Sequence, residues 1–294
     1  MVVRVDRVSV EEQAAPRILR ARWLGRIAYR DAWAVQQALA AARAGGGLDE
    51  DQLLLLEHDA VLTLGRNASE GHVIAPAHVI EARGIEVVRV ERGGEVTYHG
   101  PGQLVAYPIV AVSAPVAESA RPGSSSLGVR RFVEALEAAM ADTCAAAGVI
   151  AGPRAGHPGC WVDADGAVPR KIGALGIRVA RGVTFHGIAL NVTTDLADFD
   201  LIDPCGMPGL RSTSLARERQ RAGFPGADAD VAPTTASVAE AAAVFAAALA
   251  RRLGFVLSGD ASPHGDAAHE RRALEALVNR LGAPGSALAP AGAA

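Results

Sequence analysis

The chain has 294 residues, of which 50% are hydrophobic and 21% are charged, as in globular proteins that bury a substantial core. A net charge of −3 argues against a nucleic-acid-binding protein whose affinity depends on phosphate contacts. Three cysteines without CxxC spacing argue against a disulfide framework or a zinc site. The N-terminal residues carry charges where a signal peptide is apolar, and no apolar run is long enough to span a membrane, so we expect a cytoplasmic protein.

The first ninety residues predict helices interspersed with short strands. An amphipathic helix is expected from about Tyr29 to the glycines at 45–47, which end it. An apolar strand, a polar break at His58 and a second strand follow. A short helix is then predicted, with Pro76 near its first turn and Gly84 at its end.

The middle of the chain predicts strands on either side of a long helix. Two β-branched strands are separated by a glycine-rich loop over residues 93–102. The long helix that follows is expected to be capped by serine and to end at Gly148. Residues 170–192 predict a β-hairpin that reverses at Arg181 and Gly182.

The last part of the chain predicts one more core helix and then a tail. The helix is expected from about Thr235 to Leu253. Beyond Ser258, alanine, glycine, proline and aspartate accumulate, so we expect a flexible tail over 258–294 with at most one exposed helix. The globular domain is predicted over 16–257, with an α/β (α+β) fold in which helices flank a mixed β-sheet.

Lys171 is the only lysine in a chain that has 28 arginines. An arginine cannot give up its proton at workable pH, whereas a lysine ammonium can exchange protons. Lys171 begins a β segment in which Gly173 and Gly176 remove side chains where a substrate could pass close to the backbone. The alternative is that Lys171 is a surface lysine present by chance. Only the neighbouring residues can distinguish a functional lysine from such a surface residue.

Cys205 is the candidate nucleophile because it lies between a proline and a glycine, in a segment that must turn and can present a thiol to a ligand. A nearby lysine could take the proton from that thiol, so Cys205 and Lys171 form a chemically coherent pair. Cys144 lies within the long predicted helix and is expected to pack in the core. Cys160 is expected to be a half-buried loop residue with a structural role.

Two histidines lie in glycine-containing stretches. The segment 92–103 can direct several backbone amides towards a ligand, but it matches neither the dinucleotide fingerprint nor a P-loop. His99 in this segment either orients a substrate or holds the loop through hydrogen bonds. His186, on a predicted strand, is expected to line a pocket rather than to act as a general base.

Four stretches together resemble the lipoyl(octanoyl) transferase family: "RGGEVTYHGPGQLVAYPI", "KIGALGIRV", "FHGIALNV" and "DLIDPCG". This resemblance implies a fold like the catalytic domain of biotin and lipoate protein ligases, here over residues 16–257. It also implies transfer of an octanoyl group from acyl carrier protein to a lysine of a lipoyl domain, the first step of endogenous lipoate synthesis. No metal and no cofactor are implied.

The resemblance also implies roles for individual residues. Cys205 corresponds to the nucleophile that carries the acyl group as a thioester, and Lys171 to the residue that lowers the thiol pKa and shuttles protons. The acyl-binding walls correspond to three short segments, namely Arg92, Gly93, Gly94, Glu95, Val96, Thr97, Tyr98 and His99, then Ala174, Leu175 and Gly176, then Gly187, Ile188 and Ala189.

The implied partners are octanoyl-acyl carrier protein as donor and, as acceptors, the lipoyl domains of 2-oxoacid dehydrogenase complexes and the H protein of glycine cleavage. No nucleic acid or membrane is expected as a partner, and the resemblance suggests a monomer. Three other hypotheses remain at this point. The chain could be an ATP-dependent lipoate–protein ligase, a Cys–His acyl hydrolase that uses Cys205 with His99 or His186, or a scaffold that binds acylated carrier domains.

Overall fold

The computed structural model describes residues 16–113, 126–203, 210–223, 237–262, 264–282 and 288. Within these ranges the chain forms twelve strands and six helices. The strands are β1 (Ile18–Ile27), β2 (Asp51–His58), β3 (Val61–Leu64), β4 (Glu86–Arg89), β5 (Val96–His99), β6 (Gln103–Ile109), β7 (Gly152–Arg154), β8 (His157–Val162), β9 (Arg170–Ala180), β10 (Val183–Asn191), β11 (Arg211–Ser212) and β12 (Val256–Asp260). The helices are α1 (Tyr29–Ala44), α2 (Ala77–Ala82), α3 (Val129–Ala146), α4 (Leu215–Arg221), α5 (Val238–Leu253) and α6 (Ala267–Arg280).

A large mixed sheet forms the centre of the molecule, as the sequence predicts. Its strands lie in the order β12-β1-β2-β6-β10-β9-β8-β7, and β11 pairs with the start of β9. The pairs of β1 with β12 and with β2 are parallel, as is that of β11 with β9, and the others are antiparallel. None of the described helices is long and apolar enough to cross a membrane.

Helices cover both faces of this sheet, which explains the unbroken leucine run of β2. Leu53 and Leu55 face the cluster that α3 and α5 cover, while Leu54 and Leu56 face the cluster that α1 and α6 cover. All four leucines are fully buried. A strand that is covered on both faces reads as a continuous apolar run rather than as an alternation.

The predicted hairpin over 170–192 is confirmed. Strands β9 and β10 pair from Val183 opposite Ala180 to Leu190 opposite Gly173. Arg181 and Gly182 connect them, both with positive φ, which is the backbone geometry of a tight two-residue hairpin turn.

The glycine-rich segment is not wholly a loop, contrary to the sequence prediction. Residues 96–99 form β5, which pairs with β3 in a second sheet of order β4-β3-β5. Val96 and Tyr98 are buried there with Leu62 and Leu64. The pairing with β3 stabilises an extended backbone that the surrounding glycines do not predict.

Three further predictions need correction. The N-cap of α3 is Gly128, with φ of +76°, and not a serine; Ser126 instead donates a hydrogen bond to the carbonyl oxygen of Val112 at 2.7 Å. Helix α5 begins at Val238, after a capping box formed by Ser237, and so starts later than predicted. Cys160 is not in a loop: it lies in β8 and is fully buried.

The helix predicted within the segment 258–294 is packed rather than exposed. Leu274 and Val278 of α6 are buried in the cluster on the α1 face of the sheet. Arg22 of β1 donates a hydrogen bond to Glu270 of α6 at 2.6 Å, and both side chains are largely buried. The division of the chain at residue 257 into a catalytic domain and a flexible tail stays a prediction.

Candidate active site

Two glycines that face each other across the β9–β10 hairpin shape the candidate site. Gly176 and Gly187 are paired in register. A Cβ atom at Gly187 would overlap the carbonyl oxygen of Ala106 in β6, and one at Gly176 would lie 2.8 Å from that of Gly93. Because the neighbouring backbone approaches so closely, neither position has room for a side chain.

A cavity lies between this hairpin and the segment 92–99. Twelve of the fourteen residues predicted for the acyl-binding walls line it, namely Arg92, Gly94, Glu95, Val96, Thr97, His99, Ala174, Leu175, Gly176, Gly187, Ile188 and Ala189. Gly93 and Tyr98 do not. The N–H of Gly93 donates to the carbonyl oxygen of Ile177 at 3.1 Å, and Tyr98 packs against Phe199 with ring centroids 5.4 Å apart. That the cavity binds an acyl chain stays a prediction.

Lys171 lies at one end of this cavity and is half buried. Its backbone pairs with Trp161 of β8 and Ser212 of β11, and its carbonyl oxygen accepts a hydrogen bond from the N–H of Thr213 at 2.9 Å. The Nζ atom lies 5.2 Å from the centroid of the Trp161 ring. A Cβ atom at Gly159 would lie 3.0 Å from Cε of the lysine, so that glycine leaves room for the side chain.

Cys205 lies outside the described residues, and its pairing with Lys171 therefore stays a prediction. On its N-terminal side the described chain reaches Asp203, whose N–H donates to the carbonyl oxygen of His72 at 2.8 Å. On its C-terminal side the described chain resumes at Leu210, which lines the cavity. We call the half-buried group Lys171, Phe199, Leu210 and Ser212 the open end of the cavity.

A chain of hydrogen bonds connects the segment 92–103 to the hairpin. Nδ1 of His99 donates to Oε1 of Gln103 at 2.9 Å, and Nε2 of Gln103 donates to Oδ1 of Asn191 at 2.9 Å. Nδ2 of Asn191 donates in turn to the carbonyl oxygen of Thr213 at 2.9 Å. His99 therefore holds the segment, and its ring also faces the cavity.

Six residues of β9 beyond Lys171, towards the turn of the hairpin, the cavity is lined by His186, and Tyr29 and Tyr107 also line it; we call these three residues the closed end. Each of them is at most 3% exposed. Behind them, Nε2 of His58 and the hydroxyl of Tyr107 share a hydrogen bond of 2.7 Å. The Arg92 guanidinium is buried nearby and donates to the carbonyl oxygen of Thr63 at 2.5 Å.

Burial keeps the histidines of this region neutral. It lowers the pKa of His58 to about 4 and, together with the charge of Arg92, that of His186 to about 3. Burial, His58 and Arg92 also hold the pKa of His99 well below its usual value. A general base works best with a pKa near the working pH, so these histidines are poorly suited to that role.

The two described cysteines are structural. Cys144 in α3 and Cys160 in β8 are both fully buried. A hydrogen bond with Cys160 and burial together raise the pKa of the Cys144 thiol well above its usual value. Because the thiolate is the reactive form, Cys144 is an inert core residue, as the sequence predicts.

Comparison with known proteins decides the family. Residues 28–241 match the family model described as the lipoyl protein ligase A/B catalytic domain. The octanoyltransferase of Acidobacterium capsulatum is 47% identical over 202 residues, which are 68% of this chain and 80% of that protein. The octanoyltransferase of Chloroflexus aurantiacus is 47% identical over 203 residues, which are 69% of this chain and 85% of that protein. The chain belongs to the lipoyl(octanoyl) transferase family. It is therefore an acyltransferase.

Solved structures agree with this family at the level of the fold. A lipoate-protein ligase A bound with ATP superimposes with a TM-score of 0.58 at 16% identity, covering 89% of this chain and 94% of that chain. A bi-partite lipoate protein ligase from Thermoplasma acidophilum gives a TM-score of 0.55 at 15% identity, covering 95% of this chain and 99% of that chain. The predicted ligase-like fold is confirmed.

The sequence analysis missed several residues that line the cavity, namely Tyr29, Gln103, Tyr107, Asn191, Phe199, Leu210 and Ser212, whereas Gly173 lines it as expected. Gln103 and Asn191 carry a usable signal, because each is a polar residue at the end of a strand that is otherwise apolar and buried. Tyr29 and Tyr107 carry none, since an aromatic residue in an apolar stretch predicts only burial.

Across the described ranges, no group of three or more His, Cys, Asp or Glu side chains is arranged to hold a metal ion. The described part of the site offers one half-buried amine, an apolar stretch lined by Val96, Leu175 and Ile188, and a neutral polar end. An amine beside an apolar cavity suits proton transfer next to a bound hydrocarbon chain.

Proposed function

We propose that this acyltransferase moves an octanoyl group from octanoyl-acyl carrier protein to the side-chain amine of a lipoyl-domain lysine, through a thioester on Cys205. Octanoyl transfer is the activity named for its relatives in Acidobacterium capsulatum and Chloroflexus aurantiacus. The acceptors would be lipoyl domains of 2-oxoacid dehydrogenase complexes and the H protein of glycine cleavage.

The observation that carries this proposal is the position of Lys171, at the open end of a cavity that the predicted acyl-binding segments line. Leu210, five residues after the cysteine, lines the same cavity, and Ser212 pairs with Lys171. The proposal that the Cys205 thiol acts with Lys171 rests on this position of the lysine and on the resemblance that the surrounding motifs carry.

The two half-reactions require the same proton acceptor. In the first, the neutral amine of Lys171 takes the thiol proton of Cys205, and the thiolate attacks the thioester carbonyl of the donor. The C–S bond to the carrier breaks, and the carrier thiolate receives the proton from the Lys171 ammonium. In the second, the acceptor amine attacks the acyl-Cys205 thioester and releases the Cys205 thiolate, while Lys171 takes the amine proton and returns it to the sulfur.

This chemistry explains why a lysine is kept at position 171. Proton transfer by a positioned group contributes roughly 10²–10⁴-fold in rate. An arginine would keep the charge but could not accept either proton. Thioester exchange is nearly isoenergetic and aminolysis of a thioester is favourable, so neither step needs ATP.

The walls of the cavity suit a hydrocarbon chain. Val96, Ala174, Leu175, Ile188 and Ala189 present apolar groups along it. Each buried methylene stabilises binding by about 0.8 kcal/mol, so chains several carbons shorter than octanoyl should bind much more weakly.

Intact-protein mass spectrometry after exposure to octanoyl-acyl carrier protein, without ATP, tests the proposal. The wild type should gain one octanoyl group, which peptide mapping assigns to Cys205 and hydroxylamine removes, as expected for a thioester. Cys205→Ala should gain none. Cys144→Ala, which removes a buried core thiol instead, should be labelled like the wild type.

Adding a lipoyl-domain protein should then transfer the label to its lysine. Labelling of the acceptor only in the presence of ATP, with no adduct on Cys205, would overturn the proposal in favour of a lipoate ligase. Release of the label as free octanoate, with the acceptor lysine unmodified, would indicate a hydrolase. Stable binding of the carrier without any acyl transfer would indicate a scaffold.

A further inference from the structure

His186 is a buried polar residue that the proposed chemistry does not use. It is 1% exposed and lines the closed end of the cavity. Neither ring nitrogen has a hydrogen-bond partner among the residues that the structure describes. Buried polar groups nearly always have a partner, so an imidazole with two unpaired nitrogens beside a cavity points to a role in ligand recognition.

The backbone conformation of His186 is also unusual. Its φ is +57°, in the left-handed region, within a strand that is otherwise extended. The N–H of His186 donates to Oε1 of Gln36 at 2.8 Å, and this bond from α1 holds the conformation. Left-handed backbone at a residue other than glycine is costly and accumulates at functional sites.

The position of His186 along the hairpin matches the far end of an acyl chain. Its register partner in β9 is Ile177, six residues beyond Lys171. Six residues of β-strand span roughly 20 Å. In an extended zigzag each C–C bond advances the chain by about 1.3 Å, so the seven bonds of an eight-carbon chain span roughly 9 Å. The difference leaves room for the side chains of Lys171 and His186 and for the reacting thioester.

We propose that the His186 imidazole is the residue that limits the acyl chain to about eight carbons. This inference rests on the proposed function. The terminal methyl of an octanoyl group stops before the ring, whereas a longer chain must press methylenes against it.

The cost of a longer chain comes from the polar character of this end. With its pKa lowered to about 3, the ring is neutral and keeps one N–H donor and one nitrogen acceptor. Methylenes against both groups would deny them any hydrogen bond, which is unfavourable for a buried polar group. A shorter chain, in turn, buries fewer methylenes in the walls. Eight carbons therefore bind best.

Substitution of His186 tests this assignment if the new residue can adopt the same left-handed backbone conformation. His186→Gly and His186→Asn both tolerate positive φ, so neither adds backbone strain. The measurement is the rate of Cys205 acylation by octanoyl- and by decanoyl-acyl carrier protein. His186→Gly should raise the ratio of decanoyl to octanoyl rates about tenfold, because two further methylenes become buried. His186→Asn, with a shorter polar group, should raise it less.

His58→Asn is the matched control. His58 belongs to the same buried group, but both of its ring nitrogens are hydrogen-bonded and it does not line the cavity. This variant should lose stability and leave the ratio unchanged. An unchanged ratio in both His186 variants, with octanoyl loading intact, would overturn the inference and leave the proposed function standing. Absence of octanoyl loading in the wild type would overturn the proposed function itself.

Discussion

The two ends of the cavity differ in exposure and in charge. The open end is half buried and contains Lys171, the amine to which the proposed proton transfers are assigned. The closed end is buried and neutral, since Tyr29, Tyr107 and His186 are at most 3% exposed and burial keeps the histidine uncharged. Reactivity needs a group that can change its charge, whereas discrimination between chains needs a fixed shape. Changes at the open end should therefore affect rate, and changes at the closed end should affect stability and selectivity.

The largest expected effect is that of Lys171→Arg. The rate of octanoyl transfer should fall by roughly 10²–10⁴-fold, because the guanidinium cannot accept a proton. The melting temperature should stay near that of the wild type, since the side chain is half exposed and arginine also packs on the Trp161 ring. Single-turnover kinetics and thermal unfolding measure the two quantities.

Arg154→Lys is the control for this substitution. The Arg154 guanidinium lies 5.6 Å from the centroid of the same Trp161 ring. This variant therefore replaces a guanidinium with an ammonium on the same ring, without changing Lys171. It should leave the rate unchanged. A Lys171→Arg enzyme that kept most of the wild-type rate would contradict the role assigned to the open end.

Acid should destabilise the protein through the histidines around the closed end. The folded-state pKa values of His58 and His186 are lowered to about 4 and about 3 from the usual 6.5, and that of His99 is also lowered. The unfolded chain therefore binds protons first as the pH falls. The stability that these neutral rings provide is complete above pH 6.5 and is lost below it, by up to about 1.4 kcal/mol per pH unit for each histidine.

Urea unfolding between pH 7.5 and about pH 5 measures this loss. His186→Asn should reduce the slope of the free energy of unfolding against pH by the contribution of one proton. A slope that is the same in the variant and the wild type would show that His186 is already protonated in the folded protein or exposed to water.

Gly187→Ala should destabilise the protein by forcing apart two strands of the cavity wall. The added Cβ would overlap the carbonyl oxygen of Ala106 and lie 2.8 Å from Cδ of Pro108, so β6 and β10 must separate. We expect a loss of about 3 kcal/mol in the free energy of unfolding. Gly152→Ala in β7 has no heavy atom within 4 Å of the new Cβ and should change stability by less than about 0.5 kcal/mol. Equal effects of the two substitutions would be incompatible with the close approach described.

Tyr107→Phe should have the smallest effect. It removes the hydroxyl that is hydrogen-bonded to Nε2 of His58 and leaves that nitrogen unpaired, at a cost of about 1–2 kcal/mol. A double-mutant cycle with His58→Phe should give a coupling energy of about 1 kcal/mol. Strictly additive effects would mean that this hydrogen bond does not help to stabilise the closed end.

The fold was predictable where the signal is local. The glycines after Ala44 end α1, and Arg181 and Gly182 turn the hairpin, as expected from the sequence. Strand β5 was missed because its partner β3 lies about 35 residues earlier in the chain, and the glycines around it predict a loop. The packing of α6 depends on its contacts with β1, which no local pattern contains.

The candidate site was also predictable only where the signal is local. Lys171 and most of the wall residues could be named from short motifs and from the resemblance that those motifs carry. At the closed end the sequence predicted only that His186 lines a pocket, because Tyr29, Tyr107 and His186 come from α1, β6 and β10 and meet only in the folded chain. Local sequence predicts that each is buried but not that they converge.

The pairing of Lys171 with Cys205 is tested most directly by the pH dependence of Cys205 alkylation, followed by peptide mass mapping in wild type and in Lys171→Gln. The buried thiols of Cys144 and Cys160 should not react in the folded protein. In the wild type, the pKa of the Cys205 thiol should lie below the usual value of a cysteine, and Lys171→Gln should raise it. The same thiol pKa in both proteins would contradict the pairing.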